Sequence, residues 1–157
     1  MTGRYRTTSE EETRRVATAC GHELRRGDVV ALYGDLGAGK TQFVKGLCEA
    51  FGVSENVSSP TFVVLHRYRG RDQSGRELLI HHLDLYRVAS AEEVFDLGYE
   101  ELFFGDGLVV VEWAERLGSL LPPRRVDVHL AAGEGENDRE IVIERVIAAS
   151  QGTKVGR

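Results

Sequence analysis

The chain has 157 residues, of which 41% are apolar and 29% charged, and its net charge is -5; this is the length and balance of one soluble globular domain with a core of its own. No stretch approaches the roughly 18 apolar residues of a membrane span, and acids and bases are interspersed, without the basic face of a nucleic-acid binder. A cytoplasmic protein that meets RNA only through another molecule is the expectation.

The first residues, Met1-Thr2-Gly3-Arg4-Tyr5-Arg6, are basic at the start but lead into no apolar run, so they do not read as a signal peptide. Ser9-Glu10-Glu11-Glu12 forms an S-x-x-E capping box with an acidic first turn, which opens a helix by meeting its unpaired N–H groups and its dipole. Thr13, Val16, Ala17, Cys20 and Leu24 make one apolar stripe, and the helix is expected to end near Arg25-Arg26-Gly27. Cys20 and Cys48 have apolar neighbours and no C-x-x-C spacing, which reads as two buried thiols rather than a metal or redox site.

Asp28-Val29-Val30-Ala31-Leu32-Tyr33 is a short apolar strand running into Gly34-Asp35-Leu36-Gly37-Ala38-Gly39-Lys40-Thr41, an unbroken match to G-x-x-x-x-G-K-[ST]. Beyond it, Phe43, Val44, Leu47, Cys48 and Phe51 fall at helical spacing until Gly52. A strand, this octapeptide and a helix in that order make a phosphate-binding loop. The glycines admit positive φ and let the backbone come close to an anion. Successive amide N–H groups and the positive end of the helix then attract phosphate. Lys40 is expected at the β- and γ-phosphate oxygens and the Thr41 hydroxyl at Mg²⁺. A bound nucleoside triphosphate follows.

Pro60 pushes Ser59 into an extended conformation, and Phe62 to Tyr68 reads as a strand. The Ser59 and Thr61 hydroxyls beside a phosphate loop suit a nucleotide-sensing switch, although composition alone favours a plain turn. Gly70 to Gly75 is a polar turn and Glu77 to Leu85 a second strand; the two form an antiparallel hairpin, so the sheet is mixed. Asp84 ends that run, where it either reaches a metal or caps the Leu85-Tyr86-Arg87 turn. His81 and His82 face opposite sides of a strand, and with no Cys or third His nearby zinc is not expected. One of them is expected inside the sheet and the other partly exposed. His22, His66 and His129 read as isolated.

Ser90-Ala91-Glu92-Glu93 is a second capping box, opening a helix to about Leu97, and a further short turn of helix fits Gly98 to Phe104. Leu108-Val109-Val110-Val111 ending in Glu112 follows the logic of a Walker B strand, whose acid holds Mg²⁺ or activates the attacking water. After Pro122-Pro123, Arg125 to Leu130 and Arg139 to Arg145 alternate apolar and charged residues, a half-exposed hairpin across Gly133 to Asp138. Residues 1–149 are expected to form one domain, and 150–157 a loose tail.

Four motifs thus occur in order: Gly34 to Thr41, Ser59-Pro60-Thr61-Phe62, His82-Leu83-Asp84-Leu85-Tyr86-Arg87 and Glu112-Trp113-Ala114-Glu115. The first is generic; the other three make the chain resemble the TsaE (YjeE) family, small bacterial ATPases needed for threonylcarbamoyladenosine in tRNA. The resemblance implies an α/β fold, a three-layer P-loop NTPase with a mixed parallel and antiparallel sheet. It also implies ATP and Mg²⁺ as cofactors, and the TsaD and TsaB proteins as partners. Those partners place the threonylcarbamoyl group on adenosine 37 of tRNA; this chain would meet tRNA only indirectly and would drive turnover of the complex. Carried over by position, the nucleotide contacts are Asp35, Leu36, Gly37, Ala38, Gly39, Lys40, Thr41, Gln42 and Thr61. Thr41, Asp84 and Glu112 become Mg²⁺ ligands, Lys40, Asp84 and Glu112 catalytic residues, and Trp113 a neighbour of the site. The resemblance also moves Ser59-Pro60-Thr61 from turn to switch, and Asp84 from cap to metal-shell acid.

The alternative is a small P-loop phosphotransferase, which needs an acceptor pocket and an arginine-bearing lid. Arg67, Arg69, Arg71, Arg87 and Arg116 are instead scattered over separate segments, and the N-K-x-D segment of signalling GTPases is absent. ATP hydrolysis therefore leads. No cation besides Lys40 is evident for the transition state, so slow intrinsic turnover is expected, stimulated by a partner; an arginine finger is worth about 10³–10⁵ in rate.

Overall fold

The computed structural model describes residues 2–58, 65–88 and 90–147. The strands are β1 Gly3–Thr7, β2 Val29–Tyr33, β3 Leu65–Arg71, β4 Glu77–Asp84, β5 Leu108–Glu112, β6 Arg124–Ala132 and β7 Arg139–Ile147. The helices are α1 Glu10–Gly21, α2 Lys40–Ala50, α3 Ala91–Phe95 and α4 Tyr99–Phe103, with a 3₁₀ segment at Ala114–Leu120. The motif Ser59-Pro60-Thr61-Phe62 and the tail 150–157 lie outside the described residues.

One 7-stranded sheet runs in the order β1-β7-β6-β2-β5-β4-β3. Strands β6, β2, β5 and β4 are parallel, while β3, β7 and β1 join antiparallel. The sheet is therefore mixed, with a parallel centre flanked by the two expected hairpins. The centre is apolar on both faces because helices cover both. Val30, Leu32 and Val110 meet Phe43, Val44 and Leu47 of α2, whereas Val29, Ala31, Val109 and Val111 join Val94, Leu102 and Phe103 of α3 and α4. In β6 and β7 only alternate residues (Val126, Val128, Leu130, Ile141 and Ile143) enter the core on the α1–α2 face.

Helices α1 and α2 touch at Gly46, where an added Cβ would lie 2.3 Å from Arg14 O and 2.6 Å from the Ala17 methyl. The Thr18 hydroxyl bridges the same crossing, 2.9 Å from both Arg14 O and Gly46 O. At the start of α1 the Ser9 hydroxyl accepts from the Glu12 N–H at 3.0 Å. The Glu12 carboxylate, however, reaches past Ser9 to the Thr8 N–H at 2.7 Å and the Thr8 hydroxyl at 3.0 Å.

Several expectations are corrected. Helix α1 stops at Gly21, because Glu23 and Leu24 donate to the carbonyls of Cys20 and Gly21 in tighter turns; Leu24 is still buried, but from outside the helix. Ser90 occupies the N-cap position of α3 without a side-chain cap bond among the described residues, and α3 ends at Phe95 rather than Leu97. Strand β1, pairing Gly3 to Thr7 with Ile143 to Arg139, was not expected: Tyr5 and Thr7 turn inward between exposed Arg4 and Arg6, too short an alternation to read. The 3₁₀ segment was likewise unforeseen. His81 and His82 are both buried, His81 beneath Arg67, whose Nε donates to its Nδ1 at 3.1 Å. His129 is not isolated; its ring stacks on Tyr33 with centroids 4.6 Å apart. Cys20 and Cys48 are buried free thiols, as expected. No helix among the described residues is long and apolar enough to cross a membrane.

Candidate nucleotide site

The parallel strands bring three sequence-distant positions to one end of the sheet. Leu32 of β2 pairs in register with Glu112 of β5, and Glu112 pairs with Asp84 of β4. Both acids thus stand beside the segment that leaves β2 at Gly34. Ligands of parallel α/β sheets bind at this carboxyl edge, outside the strand ends. Residue parity places Asp84, His82 and Glu112 on the face that packs against α2, along with Ile80 and Val110.

Between β2 and α2 the loop takes the backbone its glycines permit. Gly34, Gly37 and Gly39 have φ of 152°, 82° and 102°. At Gly34 a side chain is further barred by Leu130 O, which would lie 2.6 Å from a Cβ. Lys40, the first residue of α2, is buried and folds back on the loop, its Nζ donating to Gly34 O and, at 3.1 Å, to Asp35 O. The ammonium also lies 4.1 Å from the centroid of the Trp113 ring. Burial lowers the Lys40 pKa, against the opposing charges of Glu112, Glu115, Asp84 and Asp35.

Trp113 is the one non-glycine with positive φ among the described residues, at φ 59° and ψ 45°. The chain there leaves β5 and enters the 3₁₀ segment within a single residue, and a left-handed residue makes so sharp a corner. Such strain persists where the surroundings over-determine it, commonly at functional sites. The Trp113 ring packs on Tyr86 at 5.0 Å between centroids, and the Arg116 guanidinium lies 6.0 Å from the Tyr86 ring.

Asp84 has both of the roles weighed for it within reach. Its Oδ1 accepts from the Tyr86 N–H at 3.0 Å, capping the turn, while its carboxylate neighbours Glu112. Burial foremost, and then the charge of Glu112, raise its pKa, against the Tyr86 N–H, His82 and Lys40. Glu112 is 3% exposed, and its Oε2 stands 2.6 Å from Nε2 of the fully buried His82. The other face of the His82 ring meets Tyr68, with Nδ1 and the phenol oxygen 3.2 Å apart.

Of the remaining expected contacts, Asp35, Leu36 and Gly37 are exposed on the loop, Ala38 is buried and Thr41 is half-buried on α2. The Gln42 side chain turns toward α1, its Oε1 accepting from Arg14 at 2.6 Å. Thr61 lies outside the described residues. Two participants escaped the sequence reading. His82 opens one of the four motifs but was given no role in the site, although its partner acid was identified. Arg139 comes from β7, 102 residues along the chain, and its Nη2 donates to Gly37 O at 2.9 Å; Nη1 holds Glu136 O at 2.9 Å and Asp138 O at 2.8 Å. It thereby fastens the β6–β7 hairpin to the loop, a contact with no local signal in the sequence.

Asp84, Glu112 and Thr41 offer only oxygen donors, two of them carboxylates, a set suited to a hard cation such as Mg²⁺. Another group with metal-ligand chemistry, Asp127, His129 and Glu144, has ligand atoms within 4.8 Å of one another. There Arg125 donates to both oxygens of Asp127, at 2.8 and 3.3 Å, and the Tyr33 hydroxyl adds a third contact at 3.3 Å. The charge of Asp127 is thus already compensated, and the group reads as an ion-pair network on the open sheet face.

The family model described as Threonylcarbamoyl adenosine biosynthesis protein TsaE matches residues 7–141. The tRNA threonylcarbamoyladenosine biosynthesis protein TsaE of Treponema pallidum is 43% identical over 135 residues, covering 86% of this chain and 95% of that protein. Its namesake in Bacillus subtilis is 38% identical over 143 residues, covering 91% of this chain and 85% of that protein. The crystal structure of Bacillus subtilis YdiB is similar to this fold with a TM-score of 0.76 at 31% identity, covering 98% of this chain and 90% of that one.

Proposed function

The chain belongs to the TsaE family of tRNA threonylcarbamoyladenosine biosynthesis, and from that premise we propose that it binds ATP with Mg²⁺ and hydrolyses it to turn over a TsaB–TsaD complex. The observation that carries this reading is the register that sets Glu112 and Asp84 side by side at the carboxyl edge of the parallel strands, where their charges act on Lys40 of a complete phosphate loop.

Each residue has a role that its surroundings suit. The amide N–H groups of the loop and the start of α2 hold the phosphates. Lys40 exchanges its carbonyl partners for phosphate oxygens, which return a charge partner to a buried ammonium. Thr41 and Asp84 hold the metal, and a cation there favours the ionised form of Asp84 that burial disfavours. Bound Mg²⁺ would neutralise charge developing on the transferred phosphoryl group. Glu112 would be the third oxygen donor to that metal and the acid that orients the attacking water. Arg139 keeps the loop in place by holding Gly37 O.

Among the arginines weighed for a lid, Arg67 is bound to His81, and Arg116 donates to Val88 O at 3.3 Å beside Tyr86. Both are engaged there, and Arg139, the guanidinium at the loop, is held by Gly37 O, Glu136 O and Asp138 O; slow intrinsic turnover stimulated by the partner complex is in keeping with this. Phosphate release, measured with and without purified TsaB and TsaD, tests the reading. Stimulation is expected; equal rates would sink partner activation, and no Mg-dependent hydrolysis under either condition would sink the ATPase itself. Glu112→Gln should bind ATP but hydrolyse it far more slowly.

A further inference from the structure

Glu112 is held by a buried polar chain that extends beyond the site. His82 Nε2 stands 2.6 Å from Glu112 Oε2, His82 Nδ1 lies 3.2 Å from the Tyr68 hydroxyl, and that hydroxyl lies 3.1 Å from Ser58 O. His82 is 0% exposed, Glu112 3% and Tyr68 4%. Burying such groups costs desolvation at each member, and an apolar residue would fill position 82 without that cost. The three side chains come from three adjacent strands of one sheet face, with Tyr68 reaching His82 diagonally across the β3–β4 pairing. Their lengths and register, and not a loop, set the geometry.

Nε2 faces the Glu112 carboxylate and Nδ1 faces the Tyr68 hydroxyl, so both ring nitrogens of His82 are held. The Tyr68 phenol on the far nitrogen then holds the ring plane, as an outer partner does for a ligating or catalytic group. The Tyr68 hydroxyl donates to Ser58 O, which ties the chain to the backbone beyond α2.

We infer that His82 and Tyr68 are positioning residues that fix the rotation of the Glu112 carboxylate toward metal and water. The inference rests on Glu112 being the acid of the proposed ATPase. It assigns His82 a task within that site, and gives Tyr68, outside the four motifs, the task of orienting His82.

The test compares wild type with His82→Leu, His82→Gln and Tyr68→Phe in three measurements. One is kcat and KM for Mg-ATP; another is Mn²⁺ binding, followed by electron paramagnetic resonance with a non-hydrolysable ATP analogue present; the third is the binding of ATP without divalent metal. His82→Leu should lower kcat and Mn²⁺ affinity by about 10- to 100-fold, raise KM for Mg-ATP only as far as metal affinity falls, and leave the binding of ATP without divalent metal within about twofold. His82→Gln, whose amide N–H reaches Glu112 from the place of Nε2, should recover most of the loss. Tyr68→Phe should show a smaller loss of the same kind, and it decides the matter if His82→Leu does not fold. Folded variants with wild-type kcat and Mn²⁺ affinity would overturn the inference while leaving the ATPase standing. A glutamine variant no better than leucine would also overturn it. Wild type that neither binds nor hydrolyses Mg-ATP would instead overturn the functional reading, and the inference with it.

Discussion

The Lys40 ammonium rests 4.1 Å from the centroid of the Trp113 ring while donating to Gly34 O and Asp35 O. Trp113 is the single tryptophan of the chain, so its emission reports on this one contact. A cation over an indole ring is worth about 0.5–2 kcal/mol, an amount that phosphate oxygens can readily outbid. Adding Mg-ATP should therefore change the intrinsic fluorescence as Lys40 turns toward the phosphates. The change should be absent in Lys40→Ala, and an unresponsive wild type would contradict the movement of Lys40.

Replacing Lys40 should cost nucleotide affinity even when charge is kept. A charge-assisted hydrogen bond contributes about 1.5–3 kcal/mol, so Lys40→Ala should weaken ATP binding by about 10- to 100-fold. Lys40→Arg should do no better. The buried ammonium fits between two carbonyls and an indole, and a planar guanidinium cannot take the place of so compact a charge. Calorimetric titration with ATP measures both; tight binding by the arginine variant would show that the pocket is looser than these contacts indicate.

Gly46→Ala should destabilise the fold despite improving helix propensity. Alanine gains about 1 kcal/mol over glycine inside a helix, but the new methyl would meet Arg14 O at 2.3 Å and the Ala17 methyl at 2.6 Å. Both obstacles are backbone or Cβ atoms that cannot swing aside, and overpacking costs about 1–3 kcal/mol. A net loss of up to about 2 kcal/mol in urea unfolding is expected; a gain would mean that α1 and α2 separate freely.

The two thiols give a stability change at alkaline pH. Burial raises Cys20 from 9.0 to about 11 and Cys48 from 9.0 to about 12. Unfolded thiols lose their protons from about pH 9 upward while the folded ones keep them, so the unfolded chain binds fewer protons and stability falls. The contribution is whole below pH 9 and is lost as pH rises through about 11 and then 12. Thermal melts between pH 8 and 11 should show this decline, with a shallower slope in Cys20→Ala. At pH 8 a disulfide reagent should label neither thiol until the protein unfolds; rapid labelling of the native protein would contradict their burial.

Much of the fold was legible locally. The apolar runs at Val29 to Tyr33 and Leu108 to Val111 and the alternation of Arg125 to Leu130 and Arg139 to Arg145 correspond to observed strands, whereas β3 runs on through Gly70 and Arg71, which read as turn in the sequence. What failed were ends and edges. Leu24 belongs to the apolar stripe of α1 but is reached after the helix has ended, because burial follows side-chain direction and not helical continuity. Strand β1 gains its pairing from β7, across most of the chain, and five residues carry too little pattern to announce it.

The same division runs through the site. The sequence by itself determined the phosphate loop, because its glycines, lysine and threonine act through local backbone geometry that neighbouring residues set. It also singled out Asp84 and Glu112 as acids ending apolar strands. Only the tertiary structure decided that those strands lie side by side in register, so that the charges of the two carboxylates act on Lys40. It alone joined His82 and Tyr68 to Glu112, and Arg139 to the loop. Strand order in a parallel sheet is set by which faces bury together across long crossovers, and no local spacing encodes that adjacency.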